Sequence, residues 1–406
     1  MSIFREIPPT AGFPLSWKDF LSVFSAQGRE GRLENAFKHY LDIACTRVAN
    51  SGTAAFYLIL ESLKSLSGRK TVVIPSYICP LIPLAIKRAG LRVEVCDINR
   101  HNFDYDISML EDLCRANNDI LAILMVHLAG VPADVDSIAP IAEQHSIFTI
   151  EDCAQALGAR YRGKRAGTLG DFSFFSLCRG KGLTTYEGGI IATGRDEYRP
   201  FIDNTIQRFV KNDSLSEGMF IALLIGYWLF YRPLLFWPVF RLPQIFWNRR
   251  GDKIKAAMED FDIDFPLHKM SAVRQLIGHG QFSRIDAEIE KQRQKAAFYL
   301  LRLKKVGGLT VVEELPGSRA TYPFVTVIFD SPEKRARALK ILSRTDFGAS
   351  IVYAFAVTDY AYLKNIVADG NCSNARFMAE RTLTLSTSTF LTDEDLDAVV
   401  SIIEGL

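Results

Sequence analysis

The sequence predicts an α/β protein with a large, mostly parallel β-sheet and a smaller α+β unit at its C-terminal end. Short apolar runs of four to seven residues alternate with helical stretches through the first half of the chain. Runs that are apolar at every position are typical of strands covered by helices on both faces. A chain of 406 residues is long enough for two such units.

The elements follow from hydrophobic periodicity. In the first half of the chain, helices are predicted over 34–44, 53–66, 81–89 and 134–145. The buried strands between and after them are predicted over 71–74, 93–95, 120–126 and 148–150. The smaller unit is predicted from a strand over 322–329, a helix over 332–344 and a strand over 349–353.

The stretch 151–189 carries the chemistry. Asp152 ends an apolar strand, and a strand end delivers its side chain to the carboxyl edge of the sheet, where α/β proteins gather their ligands. Lys181 lies between Gly180 and Gly182, and a lysine in a tight loop can form a Schiff base with the aldehyde of pyridoxal phosphate (PLP). PLP also needs a carboxylate that keeps its pyridine nitrogen protonated, and Asp152 is the candidate.

The ordered motifs of this stretch resemble the DegT/DnrJ/EryC1/StrS family of PLP-dependent sugar aminotransferases, and the resemblance covers most of the chain. The matching motifs are Glu151-Asp152-x-x-Gln155, Gly167-x-x-Gly170-Asp171, Phe175-Ser176, Lys181 and Glu187-Gly188-Gly189, with further matches over 48–55, 73–77, 126–130, 270–297 and 383–394.

This resemblance implies an aspartate-aminotransferase-like (type I) PLP fold. It also implies transfer of an amino group from an amino-acid donor, commonly glutamate, to a keto acceptor. The acceptor would be a keto-sugar, free, nucleotide-linked or lipid-linked, in the biosynthesis of a polysaccharide or surface glycan. The small-molecule sites would lie at the subunit boundary of a homodimer.

Each site residue has a structural alternative beside its functional interpretation. Lys181 is the predicted catalytic residue, and otherwise a solvated loop lysine. Asp152 is predicted to bind the ring nitrogen, although an aspartate there could also cap a helix. By resemblance Gln155 packs near the cofactor ring or its hydroxyl, and otherwise is a solvated helix residue.

The phosphate of the cofactor is assigned to a helix N-terminus, where free amides and the helix dipole favour an anion. Gly52 and Thr53 occupy that position, unless they form an ordinary N-cap. The resemblance adds Ser176 as a second phosphate ligand. Tyr77 is predicted to stack on the pyridine ring, with a buried core aromatic as the alternative. His127 is interpreted as a structural histidine.

Three segments depart from the family pattern. Leu267 stands where the family has an asparagine that reaches the phosphate of a neighbouring subunit, which leaves Lys269 or Arg179 as replacement cations. The residues at 352–355 and 385–388 differ from the segments that contact a nucleotide-sugar substrate. The identity of the acceptor is therefore open, whereas the PLP chemistry is untouched.

The third departure is an apolar segment, residues 213–253, with three of the four tryptophans between 219 and 247. Its longest apolar run is shorter than the roughly 20 residues of a spanning helix. Aromatic residues mixed with arginine favour an element in the headgroup region of a membrane. An oligomer contact and the wall of an apolar substrate site are the alternatives. The domain division is then 1–212, 213–253 and 254–406.

Composition narrows the function further. A net charge of +2 gives no field for nucleic acid. Seven widely spaced cysteines without a CxxC pair indicate reduced thiols rather than a disulfide or zinc framework. The N-terminus does not resemble a signal peptide, so we expect a cytoplasmic protein. The apolar segment would place it peripherally on the cytoplasmic face of the membrane. No metal site is expected. The rival functions are a PLP-dependent deoxysugar dehydratase, whose known relatives replace the lysine, and a regulator with a relic site.

Overall fold

The computed structural model describes residues 5–24, 33–256, 258–368 and 370–406. The helices are α1 (Trp17–Leu21), α2 (Leu33–Leu41), α3 (Gly52–Leu63), α4 (Leu81–Arg88), α5 (Ile107–Ala116), α6 (Val135–Gln144), α7 (Arg199–Phe209), α8 (Ser214–Phe230), α9 (Pro233–Phe236), α10 (Leu242–Arg249), α11 (Lys253–Ala256), α12 (Ala272–Gly280), α13 (Ile285–Leu303), α14 (Pro332–Leu342), α15 (Ser373–Arg381) and α16 (Asp393–Glu404). The strands are β1 (Cys45–Ala49), β2 (Thr71–Pro75), β3 (Arg92–Cys96), β4 (Ile120–Val126), β5 (Phe148–Asp152), β6 (Arg160–Tyr161), β7 (Lys164–Arg165), β8 (Phe172–Ser176), β9 (Gly189–Thr193), β10 (Leu309–Val311), β11 (Ser318–Arg319), β12 (Phe324–Phe329) and β13 (Thr382–Ser386).

A seven-stranded sheet organises the first half of the described chain, in the order β1-β9-β8-β5-β4-β2-β3. Strands β3, β2, β4, β5 and β8 are parallel, and β9 runs antiparallel to both of its neighbours. The inner strands β2 and β4 are buried along nearly their whole length because helices cover both faces, whereas the edge strand β3 is partly exposed. The mixed α/β fold with a large, mostly parallel sheet confirms the predicted fold class.

A second, antiparallel sheet of β10, β12 and β13 lies in the C-terminal part of the chain. Helices α13, α14 and α16 pack on it around a separate apolar core that includes Tyr299, Val325 and Leu385. The short strands β6, β7 and β11 form a third sheet, which joins the segment after β5 to the segment before β12.

Two predicted elements differ from the structure. The predicted strand over 349–353 is reduced to a single bridge between Ser350 and Thr384. The Tyr353 backbone is bonded instead to the hydroxyl of Tyr77, through both its N–H and its carbonyl. The segment 270–297, which the family resemblance implies to be one long helix, is interrupted after α12 by a turn of 3₁₀ helix, Phe282–Arg284, before α13 begins.

The apolar segment is helical, with α8, α9 and α10 joined by a short π-helical stretch, Trp237–Arg241. Only a narrow stripe of α8 is buried, formed by Glu217, Leu224 and Tyr227. Most of its other apolar side chains are exposed or half-buried. Within the described ranges, none of the helices combines the length and the apolar character that crossing a bilayer requires.

Candidate active site

The carboxyl edge of the large sheet carries a buried carboxylate. Strand β5 lies between β4 and β8, and its last residue, Asp152, is 8% exposed. One carboxylate oxygen (Oδ1) accepts the backbone N–H of Ala154 at 3.0 Å. Burial raises the pKa of Asp152, while the Ala154 amide and the positive charge of Lys181 oppose the rise. A cation placed beside Asp152 would therefore favour the ionised form of this carboxyl group.

The lysine loop, residues 177–188, connects β8 to β9. Its base is closed by the bond from the Leu177 N–H to the Gly188 carbonyl, and the Lys181 N–H donates to the Cys178 carbonyl at 3.2 Å. Gly180 has a φ of +76°, a conformation that favours glycine. Lys181 is half-buried, and it lies near enough to Asp152 for its positive charge to lower the pKa of that carboxyl.

A small cradle lies where α3 begins. Ser51 caps the helix, with its Oγ accepting the Ala54 N–H at 3.0 Å, which leaves the amides of Gly52 and Thr53 for an anion. A Cβ at Gly52 would lie 2.8 Å from the Cβ of Ser176, so only glycine fits against the end of β8. Gly52, Thr53 and Ser176 therefore form one group, and the residues present fit a phosphate.

Gln155 follows the strand end that carries Asp152. Its side-chain oxygen accepts the Ala129 N–H at 2.8 Å, which orients the amide and leaves its NH₂ group for another partner. Together with Ser176 it lines a small cavity that also contacts Phe13 and Gly182. Gln155 is thus held in place beside the lysine loop rather than solvated on a helix.

His127 is a structural residue, in agreement with its interpretation from the sequence. Its Nδ1 accepts the Ala133 N–H at 3.0 Å, so the ring proton lies on Nε2, which donates to Glu151 at 2.9 Å. Glu151 also accepts the N–H groups of Gly167, Leu169 and Gly170. Cys153 completes a group with the spacing of a metal site, but the donor atoms of His127 and Glu151 are already hydrogen-bonded.

Tyr77 lies in a packed aromatic cluster. It is 1% exposed, and its ring is parallel to that of Phe103 at a centroid distance of 5.8 Å. Its hydroxyl donates to the Tyr353 carbonyl at 3.1 Å. This environment favours the alternative interpretation of Tyr77, a buried core aromatic.

Cys79, two residues after Tyr77, lies near Asp152 and Lys181. Burial raises the pKa of its thiol to about 12, and the charges of Lys181 and Asp152 both act on it. Burial raises the pKa of Tyr353 well above the ordinary value, and the negative charge of nearby Asp152 raises it further. Sequence reasoning missed both. For Cys79 the sequence did offer a signal: like Tyr77, it follows closely after the end of β2, at the carboxyl edge of the sheet.

The cations named as replacements for the family asparagine lie at the surface. The Lys211 backbone bridges the 267–269 segment, accepting the Lys269 N–H at 2.9 Å and donating to the Leu267 carbonyl at 3.2 Å. The Lys269 side chain is exposed. Arg179 is paired with Glu187 at 3.4 Å within the lysine loop. All seven cysteines are free thiols, as the sequence indicates.

A mixed α/β sheet with a carboxylate at its carboxyl edge and a lysine in the adjoining loop is the arrangement of a PLP-dependent aminotransferase. The model of the DegT/DnrJ/EryC1/StrS aminotransferase family matches residues 22–208 and 266–404. The chain belongs to this family, and by this membership it is an aminotransferase whose cofactor is PLP. Residues 209–265, which include the apolar segment, lie outside the matched ranges.

The chain is also similar to individual proteins. An uncharacterized protein of Methanocaldococcus jannaschii, MJ1066, is 23% identical over 92% of this chain and 89% of its own length. GDP-perosamine synthase of Escherichia coli O157:H7 is 34% identical over 40% of this chain, and the match spans only 44% of that enzyme. The crystal structure of the sugar aminotransferase CalS13 from Micromonospora echinospora superposes with a TM-score of 0.75 at 19% identity, covering 98% of this chain and 99% of that one.

Proposed function

We propose that the chain moves an amino group from an amino-acid donor, glutamate, to the keto group of a sugar, with PLP attached to Lys181. The observation that carries this proposal is the pairing of Asp152 and Lys181 at the carboxyl edge of the large sheet. Bound PLP supplies an electron sink for the carbanion formed when the donor loses its Cα proton. The protein has to hold the cofactor, keep its ring nitrogen protonated and move one proton.

Each of these tasks falls to a residue in reach of the edge. Asp152 holds the proton on the ring nitrogen, and its burial makes the ion pair strong. Lys181 would hold the cofactor, and its amine would move the proton of the donor Cα. The amides of Gly52 and Thr53 and the hydroxyl of Ser176 would bind the phosphate, and the NH₂ group of Gln155 would bind near the ring or its hydroxyl.

A keto-sugar acceptor is supported by the relatives. GDP-perosamine synthase and CalS13, by their names, act on sugars. The acceptor of this chain is free, nucleotide-linked or lipid-linked, and its pathway is the synthesis of a polysaccharide or surface glycan. Turnover of one member of each acceptor class, measured as glutamate-dependent amination by mass spectrometry, distinguishes the three. A dehydratase would instead release water from the sugar without incorporating nitrogen.

The spectrum of the purified protein tests the cofactor chemistry. Protein with PLP absorbs in the visible, glutamate bleaches the band while 2-oxoglutarate accumulates, and borohydride fixes the cofactor to the peptide that contains Lys181. Lys181→Ala serves as the control and should bind PLP without covalent attachment. A preparation that stays colourless after addition of PLP contradicts the enzymatic function.

We also propose a homodimer with its sites at the subunit boundary. The exposed Lys269 side chain supports this, because it is free to reach the phosphate of a second copy where the family uses an asparagine. Light scattering at micromolar concentration measures the assembly directly. A fully active monomer would refute the arrangement.

The exposed face of the apolar segment is proposed to lie in the headgroup region of an anionic membrane. Each apolar side chain moved out of water contributes on the order of 1 kcal/mol, and each nearby cation about as much toward anionic lipid. Arg250 lies over the Phe246 ring at 4.1 Å and Lys255 over the Trp247 ring at 4.8 Å, so charge and aromatic surface are adjacent. The exposed apolar side chains are Leu215, Met219, Leu223, Ile225, Leu229, Phe230, Leu234, Leu235, Val239, Leu242 and Phe246.

Flotation with liposomes tests this surface. The protein should float with vesicles of phosphatidylglycerol and phosphatidylcholine but much less with phosphatidylcholine alone. Leu234→Glu should reduce flotation, whereas Leu301→Glu, at an equally exposed leucine on α13 (66% against 64%), should not. If wild-type protein ignores both vesicle types, the segment is an oligomer contact or a substrate wall.

A further inference from the structure

The apolar segment packs directly against the lysine loop. Tyr231, at the C-terminal end of α8, donates its hydroxyl to the Thr10 carbonyl at 3.2 Å. Thr10 in turn donates its Oγ1 hydroxyl to the Gly180 carbonyl at 2.7 Å. Two hydrogen bonds therefore connect α8 to the residue before Lys181, with the N-terminal segment of residues 10–13 between them.

The space between these three segments is filled. A Cβ at Gly12 would lie 2.9 Å from the Tyr231 hydroxyl oxygen, 3.0 Å from the Gly180 Cα and 3.1 Å from the Lys181 carbonyl oxygen. The Phe13 N–H also donates to the Gly182 carbonyl at 3.0 Å. The carbonyls of Gly180 and Gly182, on either side of Lys181, thus both accept hydrogen bonds from the N-terminal segment of residues 10–13.

The Tyr231 hydroxyl is itself fixed in position. Tyr231 is 5% exposed, and its ring stacks on that of Tyr227 at a centroid distance of 4.4 Å. The Tyr227 ring packs edge-on against Tyr186, which follows Lys181 in the same loop. Because the rings are packed, the hydroxyl has little freedom to move away from Thr10.

The other limb of the lysine loop is held from the N-terminal part of α8. Glu217 is buried and pairs with the fully buried Arg274 at 2.5 Å. Arg274 donates its Nε hydrogen to the Thr185 carbonyl at 3.3 Å and an Nη2 hydrogen to the Glu187 carbonyl. Glu217 also accepts the Ser271 N–H at 2.7 Å, which anchors α12 to the same carboxylate.

We propose that α8 is part of the active-site scaffold and that Tyr231 is a positioning residue, which holds Lys181 through Thr10 and Gly180. The inference rests on the proposed role of Lys181 in the reaction. The apolar segment then has two functions on opposite faces. Its exposed face is the proposed membrane-binding surface, and its buried stripe holds the loop that carries Lys181. Removing the segment would therefore disturb the reacting amine as well as the binding of a membrane.

Conservative substitutions test the two hydrogen bonds. Tyr231→Phe keeps the stacked ring and removes only the hydroxyl, and Thr10→Val removes the donor to Gly180 while Thr10→Ser retains it. Tyr299→Phe is the matched control, because Tyr299 is fully buried in the C-terminal core and its hydroxyl has no hydrogen-bond partner in the described structure. The first readout is hydrogen exchange of residues 178–188 in the cofactor-free protein.

Tyr231→Phe and Thr10→Val should each speed exchange of these amides several-fold, with Thr10→Ser and Tyr299→Phe unchanged. The second readout is the rate of covalent attachment of added PLP and the pH midpoint of its visible absorbance. The rate should fall about 3- to 10-fold, as expected for the loss of a hydrogen bond, and the midpoint should move in the same two variants. If both variants match wild type in exchange, attachment rate and midpoint, the proposal is wrong.

The two hypotheses can fail separately. Wild-type protein that never becomes coloured with PLP contradicts the proposed function, but the exchange experiment on cofactor-free protein still reports whether α8 holds the loop. Faster exchange in Tyr231→Phe without any change in the rate or midpoint of PLP attachment would refute the positioning role of Tyr231.

Discussion

Replacement of Gly52 by alanine should damage the phosphate cradle without unfolding the protein. The new Cβ would lie 2.8 Å from the Cβ of Ser176 and 3.2 Å from its Cα, where ordinary contacts of a Cβ are 3.4 Å or more. Either the start of α3 or the end of β8 must therefore shift by about half an ångström. Such overpacking costs typically 1–3 kcal/mol, and alanine returns roughly 0.5–1 kcal/mol through its better helix propensity.

The larger effect falls on the cofactor. A shift of that size separates the Gly52 and Thr53 amides from the Ser176 hydroxyl, so that one anion no longer bonds well to both sides. Loss of about one hydrogen bond to a charged group costs roughly 1.5–3 kcal/mol of binding free energy. The dissociation constant for PLP should therefore rise about 10- to 100-fold. The melting temperature of the cofactor-free protein should fall by only a few degrees.

Titration of cofactor-free protein with PLP, followed by absorbance, measures the dissociation constant. Gly218→Ala is the control, because Gly218 lies within α8 and a Cβ there meets no atom within 4 Å. This control should bind PLP as wild type does. An unchanged dissociation constant for Gly52→Ala would show that the phosphate does not lie between α3 and β8.

Three further predictions concern the ring nitrogen, a buried acid and the dimer. Asp152→Asn should retain the covalent cofactor but lose roughly 100-fold or more in transamination rate, because a neutral amide cannot hold the ring proton; near-normal turnover would return Asp152 to the role of a cap. Burial raises the pKa of Glu6 to about 7, so folding takes up a proton and stability falls as the pH rises from about 4.5 through 7. Glu6→Gln should therefore melt at the wild-type temperature near pH 4.5 but be more stable at pH 8, by up to about 2–3 kcal/mol; a pH-independent difference in melting temperature would contradict this. Mixing Lys181→Ala subunits with Lys269→Ala subunits should recover part of the activity, and no recovery in verified mixed dimers would argue against Lys269 as the partner-side cation.

The predicted strands of the large sheet agree with the structure because each is marked by a short run of apolar residues. Strand β4 has the predicted bounds, Ile120–Val126, and is apolar along its length. Parallel strands of this kind must be covered on both faces, so apolar runs alone specify them. Asp152 and Lys181 could be named as candidates in the same way, since a strand end and a glycine-flanked loop are local features.

The prediction of a strand over 349–353 was wrong because of a contact with a residue that is distant in the chain. Its residues suit a strand, but the hydroxyl of Tyr77 takes both hydrogen bonds of the Tyr353 backbone, and Tyr77 is 276 residues away in the chain. For the same reason the sequence could not distinguish Tyr77 from Cys79 at the site. Both follow the end of β2, and only the packing of Phe103 and Tyr353 determines which side chain is enclosed.

The sequence by itself determined the fold class, the family and the cofactor, because these depend on periodicity and on motifs of a few residues. Tertiary structure alone decided what the apolar segment touches. Composition distinguishes an apolar helix from a polar one, but it does not indicate that Glu217 and Tyr231 lie against the two limbs of the lysine loop. Those contacts join residues that are distant in the chain, and such proximity exists only once the chain has folded.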